Sequence, residues 1–183
     1  MTLRCLSDDH DVACNGCDVY RAAGAPDTPS ALAALAKEEN IALFEKYGVM
    51  TKRELASRRE IFLEEYAKRV LIEGACARDI ASEMVLPAVK REYLETAQAL
   101  AAASAAGAAS GMTALRECLS ELGSGLDALK GALKILDDAL GSGDEAATLS
   151  AMAGLRQTVD ALEREVSSAR WPLPKYGDML FLY

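Results

Sequence analysis

Leu115-Arg-Glu-Cys-Leu119-Ser-Glu-Leu122-Gly-Ser-Gly-Leu126-Asp-Ala-Leu129-Lys-Gly-Ala-Leu133-Lys-Ile-Leu136-Asp-Asp-Ala-Leu140 decides the fold class. Its leucines are spaced 4, 3, 4, 3, 4, 3 and 4 residues apart. On a helix this spacing brings every leucine to one edge, an a/d seam that must be buried against another helix. Gly123, Gly125 and Gly131 interrupt the seam. Each costs about 1 kcal/mol relative to alanine in a helix, and each lets a neighbouring helix come close.

The partner seam follows directly. Met152, Leu155, Val159, Leu162 and Val166 are spaced 3, 4, 3 and 4 residues apart. Between the two seams, Gly141-Ser-Gly-Asp144 reads as a turn ending in a capping aspartate. Two seams joined by a short turn predict an antiparallel hairpin. Partner-helix docking is the alternative use of such seams, but their adjacency favours a core within the chain. A hairpin alone leaves leucine edges uncovered, so a further helix is expected to complete a bundle.

Upstream, Thr51-Lys-Arg-Glu54 has the form of a capping box. A long helix is expected after it, with Leu55, Phe62, Tyr66, Val70, Cys76, Ile80, Met84 and Ala88 along one stripe. Pro87 lies inside this pattern and predicts a kink or a break, because proline removes a backbone bond and clashes with the preceding turn. Continued to Ala106, the helix would span about 80 Å. Before it, Ser30 is expected to cap a helix starting at Ala31 and stopping at Tyr47-Gly48, with Asn40 a point where it divides in two. Residues 1–29 read as irregular, 30–170 as the helical bundle and 171–183 as an extended docking tail. The expected fold is all-α: an antiparallel bundle with one long, Pro87-kinked helix, a leucine-seam hairpin and an aromatic C-terminal tail.

Composition agrees. Hydrophobic residues make up 51% of the 183 residues and aromatics only 5%. Close-packed helices tolerate that balance, whereas a β-sandwich wants aromatic and β-branched residues. No alternating run of useful length suggests a hairpin of strands. A net charge of −8 disfavours nucleic-acid backbones and anionic membranes alike. No run approaches the roughly 18 apolar residues of a membrane span. The first ten residues are too acidic for a signal peptide, and five cysteines suit a reducing compartment, so the expected location is cytoplasmic.

The chain offers little for catalysis. A nucleophilic triad needs a base, and the single histidine, His10, sits in the irregular N-terminus. Gly141-Ser-Gly143 lacks the lysine-serine pair of a phosphate loop. Glu60, Glu64, Glu65, Glu73 and Asp79 line the long helix, but no histidine joins them as a di-iron bundle requires. With Arg58, Arg59, Lys68 and Arg69 within i, i+4 reach, they read as a salt-bridged, solvated face. Cys14-Asn-Gly-Cys17 has knuckle spacing and, with Cys5 and His10, makes four ligands compatible with zinc. The Cys5/His10 half is loosely spaced, and an unstructured lead segment explains these residues as well. The site expectation is therefore no catalytic and no cofactor-binding residue, with Cys5, His10, Cys14 and Cys17 as the zinc candidate.

The tail Trp171-Pro-Leu-Pro-Lys-Tyr-Gly-Asp-Met-Leu-Phe-Leu-Tyr183 holds the one tryptophan, two of six tyrosines and two of five prolines. Its prolines and glycine forbid a regular helix across it, and so apolar an end is expected to dock. Ile41-Ala-Leu-Phe-Glu-Lys-Tyr-Gly-Val-Met-Thr51, Glu54-Leu-x-Ser-Arg58, Glu64-Glu-Tyr66, Ile72-Glu-Gly-Ala75 and Met84-Val-Leu-Pro-Ala88, followed by Trp171 to Phe181, resemble the C-terminal region of type III glutamine synthetases. The middle, Thr96 to Ala151, is similar only in helical character. The resemblance implies a helical domain of a ligase family that joins ammonia to glutamate with ATP and Mg2+ or Mn2+, in large ring assemblies. The metal-binding glutamates and the ATP and glutamate pockets of that family lie before this region, so no catalytic residue carries over. The expected role is structural or in assembly, as a truncated or split gene product, with self-association or a glutamine synthetase catalytic domain as partner. Docking or structural residues on this reading are Phe44, Tyr47, Tyr66, Pro87, Trp171, Pro172, Pro174, Tyr176 and Phe181. A free-standing helical interaction module and a small zinc protein are the alternatives.

Overall fold

A computed structural model describes residues 27–108, 110–174 and 179–180. Every regular element among them is helical. The helices are α1 (Thr28–Leu32), α2 (Glu38–Lys46), α3 (Lys52–Ile80), α4 (Leu86–Ala105), α5 (Met112–Ser142) and α6 (Glu145–Glu165). The chain divides into two compact units, residues 1–68 and 69–183, and the division falls within α3.

In the first unit the helix starts differ from the expectation. Asp27, not Ser30, caps α1: its extended backbone aims Oδ1 at the Ser30 amide, 2.7 Å away. Pro29 already sits in the first turn, where its missing N–H is harmless, so the helix begins before Ser30. The division expected at Asn40 falls instead at Lys37, after a 3-10 turn at Ala33–Ala36. Asn40 holds that joint, its Nδ2 donating to the Ala34 carbonyl at 2.7 Å. Gly48, at φ 62°, ends α2: the Val49 amide reaches the Phe44 carbonyl and the Gly48 amide the Glu45 carbonyl, both at 3.0 Å. This is a Schellman closure, which favours glycine because the left-handed conformation crowds a Cβ. The Thr51/Glu54 capping box forms as expected, with the Thr51 amide on Glu54 Oε2 at 2.7 Å and the Glu54 amide on Thr51 Oγ1 at 3.3 Å. The Thr51 amide, and next the Thr51 hydroxyl donating to the same Oε2 at 2.9 Å, hold the Glu54 carboxyl below its ordinary pKa.

Pro87 does not break the long helix. Ala81–Val85 form a π turn between α3 and α4, in which the Leu86 amide reaches back five residues to the Ala81 carbonyl. The wider turn comes immediately before the proline ring that would clash with a regular α turn, so the helix continues through to Ala105.

The second unit holds the main core. Leu122, Leu129, Leu133 and Leu136 of α5 pack with Leu155, Leu162 and the following Val166 at α6, and with Ala81, Val85 and Val89 from the long helix. The expected hairpin and its covering helix are thus both present. The connecting turn is tighter than Gly141–Asp144, because α5 runs on to Ser142. Gly143 then turns at φ 70°, and Asp144 Oδ1 accepts from the Ala146 and Ala147 amides at 2.9 and 3.1 Å.

Two glycines set the helix spacing in this unit. A Cβ on Gly74 would lie 2.6 Å from Thr148 Cγ2 and 3.1 Å from Leu140 Cδ2. A Cβ on Gly125 would run into Leu162. Gly131, by contrast, faces open space.

Candidate functional site

The segment that leaves α6 is docked. Val166 at the end of α6 is extended (ψ 136°) and buried. A turn follows, closed by the Arg170 and Trp171 amides on the Ser167 carbonyl at 2.9 and 3.0 Å. It delivers two adjacent side chains to different tasks. Trp171, only 8% exposed, enters the core cluster, with Leu173 packed beside it. Arg170 lies over α4, where Nη1 meets Glu92 Oε2 at 2.8 Å and Nη2 binds Glu95. Glu92 and Glu95 are three residues apart on one helix face, so a single guanidinium fork reaches both. Hydrogen bonding to Glu92, with Glu95 adding to it, raises the Arg170 pKa further above its ordinary value. An ion pair and an aromatic anchor thereby fasten the chain after α6 onto the long helix.

The remaining sequence-derived residues are dispersed. Pro172 is half-buried and Pro174 exposed; Tyr176 and Phe181 lie outside the described residues. Phe44 and Tyr66 are half-buried, and Pro87 is exposed behind its π turn. Tyr47 is 69% exposed, with the Lys46 ammonium 5.7 Å from its ring centre. Cys5, His10, Cys14 and Cys17 also fall outside the described residues. Among the described residues no three His, Cys, Asp or Glu side chains converge as a metal site would need. Cys76 and Cys118 are free and exposed.

Sequence reasoning missed Arg170 with its two glutamates, and it missed Thr148. Thr148 is fully buried; its Oγ1 donates to the Asp144 carbonyl at 2.7 Å while its methyl faces Gly74. The one available hint was a glycine inside a helical pattern at position 74, which often marks close approach.

Exposed apolar residues are unevenly distributed. Of the fourteen large apolar side chains exposed among the described residues, ten lie between Leu43 and Leu94. That stretch coincides with a family match: residues 23–104 fit the model of the glutamine synthetase C-terminal domain. Residues 23–104 are similar to a glutamine synthetase C-terminal domain. Their end falls one residue short of the end of α4. The likeness to whole relatives extends further. The chain is 28% identical over 176 residues to the type-3 glutamine synthetase of Dictyostelium discoideum, covering 87% of this chain and 24% of that protein. It is 27% identical over 158 residues to a glutamine synthetase of Butyrivibrio fibrisolvens, covering 79% of this chain and 22% of the relative. The chain thus spans about a quarter of the length of these relatives. No solved structure matches. Among the described residues, no helix is long and apolar enough to cross a membrane.

Proposed function

We propose that this glutamine synthetase C-terminal domain is a non-catalytic brace that docks on the catalytic portion of a glutamine synthetase and serves its assembly. The observation that carries this reading is the crowding of exposed apolar side chains into the family-matched residues. Leu43, Tyr47, Val49, Ile61 and Phe62 stand 42–69% exposed within about twenty residues of the first unit. So many exposed apolar side chains in so short a stretch support a docking role, because apolar patches on a surface mark interaction sites. The reaction of the parent family, ATP-dependent ligation of ammonia to glutamate with Mg2+ or Mn2+, belongs on this reading to the partner. The chain's own contribution is a helical scaffold.

The test is co-purification of the 183-residue chain with the part of the Dictyostelium relative that lies outside the matched segment. A complex is expected, and a Tyr47→Ser, Phe62→Ser double variant is expected to lose it while keeping its helical circular dichroism. No complex with the wild-type chain, or an equally tight complex with the double variant, refutes the docking role.

A further inference from the structure

The start of the long helix is basic in an acidic protein. Residues 46–59 carry Lys46, Lys52, Arg53, Arg58 and Arg59 against the single carboxylate of Glu54, in a chain of net charge −8. Lys52 is paired, its Nζ 2.7 Å from Glu38 Oε1. Arg58 acts on Glu54 through its charge alone. Among the described residues, Arg53, Arg58 and Arg59 enter no salt bridge. Arg53 and Arg58 are exposed, and Arg59 is half-buried. The Arg59 Nε is enclosed and has no hydrogen-bond partner. A buried donor of that kind costs stability until an acceptor arrives. Arg58 and Arg59 also stand one turn before Ile61 and Phe62, which are 56% and 42% exposed. At the end of α2, cation and exposed ring are again side by side, in Lys46 and Tyr47. Cations and exposed apolar side chains thus alternate along residues 46–62.

We propose that this stretch takes an acidic segment of the docking partner, with Arg59 as the residue that reads its carboxylate. The proposal rests on the docking role above and names the chemistry of the occupant. A carboxylate that draws the half-buried Arg59 fork outward takes Nε and an Nη together, the bidentate geometry that a guanidinium favours and a lysine cannot match. The unpaired donor thereby gains its acceptor. Apolar residues interspersed among the acidic ones complete the contact with Ile61 and Phe62, as arginine and aromatic anchors do at interface centres. Charge selects a short acidic segment over a polyanion. At about 0.15 M salt a charge is felt over about 8 Å, so a segment of a few residues meets these cations and little of the remaining charge. A nucleic acid or an anionic membrane extends well past that range and meets the net negative charge of the chain.

Fluorescence anisotropy of a dye-labelled short peptide of repeated Glu-Glu-Leu, titrated with the full chain, tests it. Saturable binding is expected, weakening by about tenfold or more between about 0.05 and 0.5 M salt. A peptide of repeated Gln-Gln-Leu should not bind. Arg59→Met keeps the side-chain stem and removes the unpaired donor, so it should weaken binding by about tenfold without lowering the melting temperature. Arg59→Lys should weaken it as well, because the charge remains and the fork does not. An Arg53→Glu, Arg58→Glu double variant should abolish binding and keep its helical circular dichroism, since an acidic residue suits the first turn of α3. The proposal is overturned by a Glu-Glu-Leu peptide that does not bind, by equal binding of the Gln-Gln-Leu peptide, or by an Arg59→Met variant that binds as tightly as wild type. Tighter binding of single-stranded DNA or of phosphatidylserine vesicles overturns it too. The two readings fail separately. A complex with the catalytic portion, formed by a chain that does not bind the peptide, refutes this proposal alone. Peptide binding by a chain that forms no such complex refutes the docking role and leaves the acidic-segment site standing.

Discussion

Replacing Trp171 with alanine should remove the anchor that holds the chain after α6 onto the bundle. The indole is 8% exposed and belongs to the core cluster with Val85, Val89, Leu162 and Val166. Burying a tryptophan removes about 200 Å² from water, worth about 5 kcal/mol at about 25 cal/mol per Å². That is an upper bound, because unfolded chains already bury part of such surface. The residual exposure lowers it a little further. A loss of about 3–4 kcal/mol remains, within the range measured for large aromatic-to-alanine changes in cores. For a chain of this size that corresponds to a fall of about 10 °C in melting temperature. Far-UV circular dichroism melts of Trp171→Ala measure it, with the exposed Pro174→Ala as the neutral control. A fall below about 2 °C would refute the claim that Trp171 is a core residue, because the groups around it would then be stable without it.

Other outcomes follow from the same contacts. Arg170→Ala should lower the melting temperature by less than Trp171→Ala, and high salt should shrink the difference from wild type, because the guanidinium and Glu95 are solvent-accessible. A salt-independent loss would show that Arg170 acts by packing instead. Gly74→Ala should destabilise although alanine favours helix, since the new methyl meets a Thr148 side chain pinned by its bond to the Asp144 carbonyl. The overpacking costs about 1–3 kcal/mol against a propensity gain of about 1 kcal/mol, so a raised melting temperature would contradict the drawn spacing. Stability should also fall on acidification. Asp27, Glu54 and Glu64 have pKa values lowered by Ser30, Thr51 and Lys68 respectively. The unfolded chain therefore binds more protons than the folded one in the carboxylate range. Their contribution is full above the unfolded values and is lost as pH drops through the folded ones. Glu54→Gln in a denaturant titration across that range should flatten part of the acid limb, and an unchanged slope would remove Glu54 from it.

The helices themselves were legible because their signals are local. The leucine spacing specified α5 and its partner, Thr51 and Glu54 specified a helix start, and Gly48 specified a stop, each through groups within one or two turns. Errors arose where two local signals competed. Asp27 and Ser30 both suit a cap, and Pro29 settled the matter by favouring the first turn of a helix already begun. Gly141 looked like part of a turn, yet α5 tolerates it and the reversal waits for Gly143. At Pro87 the sequence announced a disturbance but not its form, since a π turn and a break satisfy the missing N–H equally well on paper. The docked site was not legible for a different reason. Arg170 and Glu92 are 78 residues apart, and nothing in either one's surroundings names the other. Pairing of that kind is set by how the hairpin leans on the long helix, which depends on the close approach of Thr148 and Leu140 to Gly74.

The central claim is that this domain contributes structure and not chemistry to a glutamine synthetase. The direct measurement is glutamine formation by the pure 183-residue chain supplied with ATP, glutamate, ammonia and either Mg2+ or Mn2+. No turnover above the protein-free blank is expected. Sustained turnover that follows the amount of chain added would contradict it.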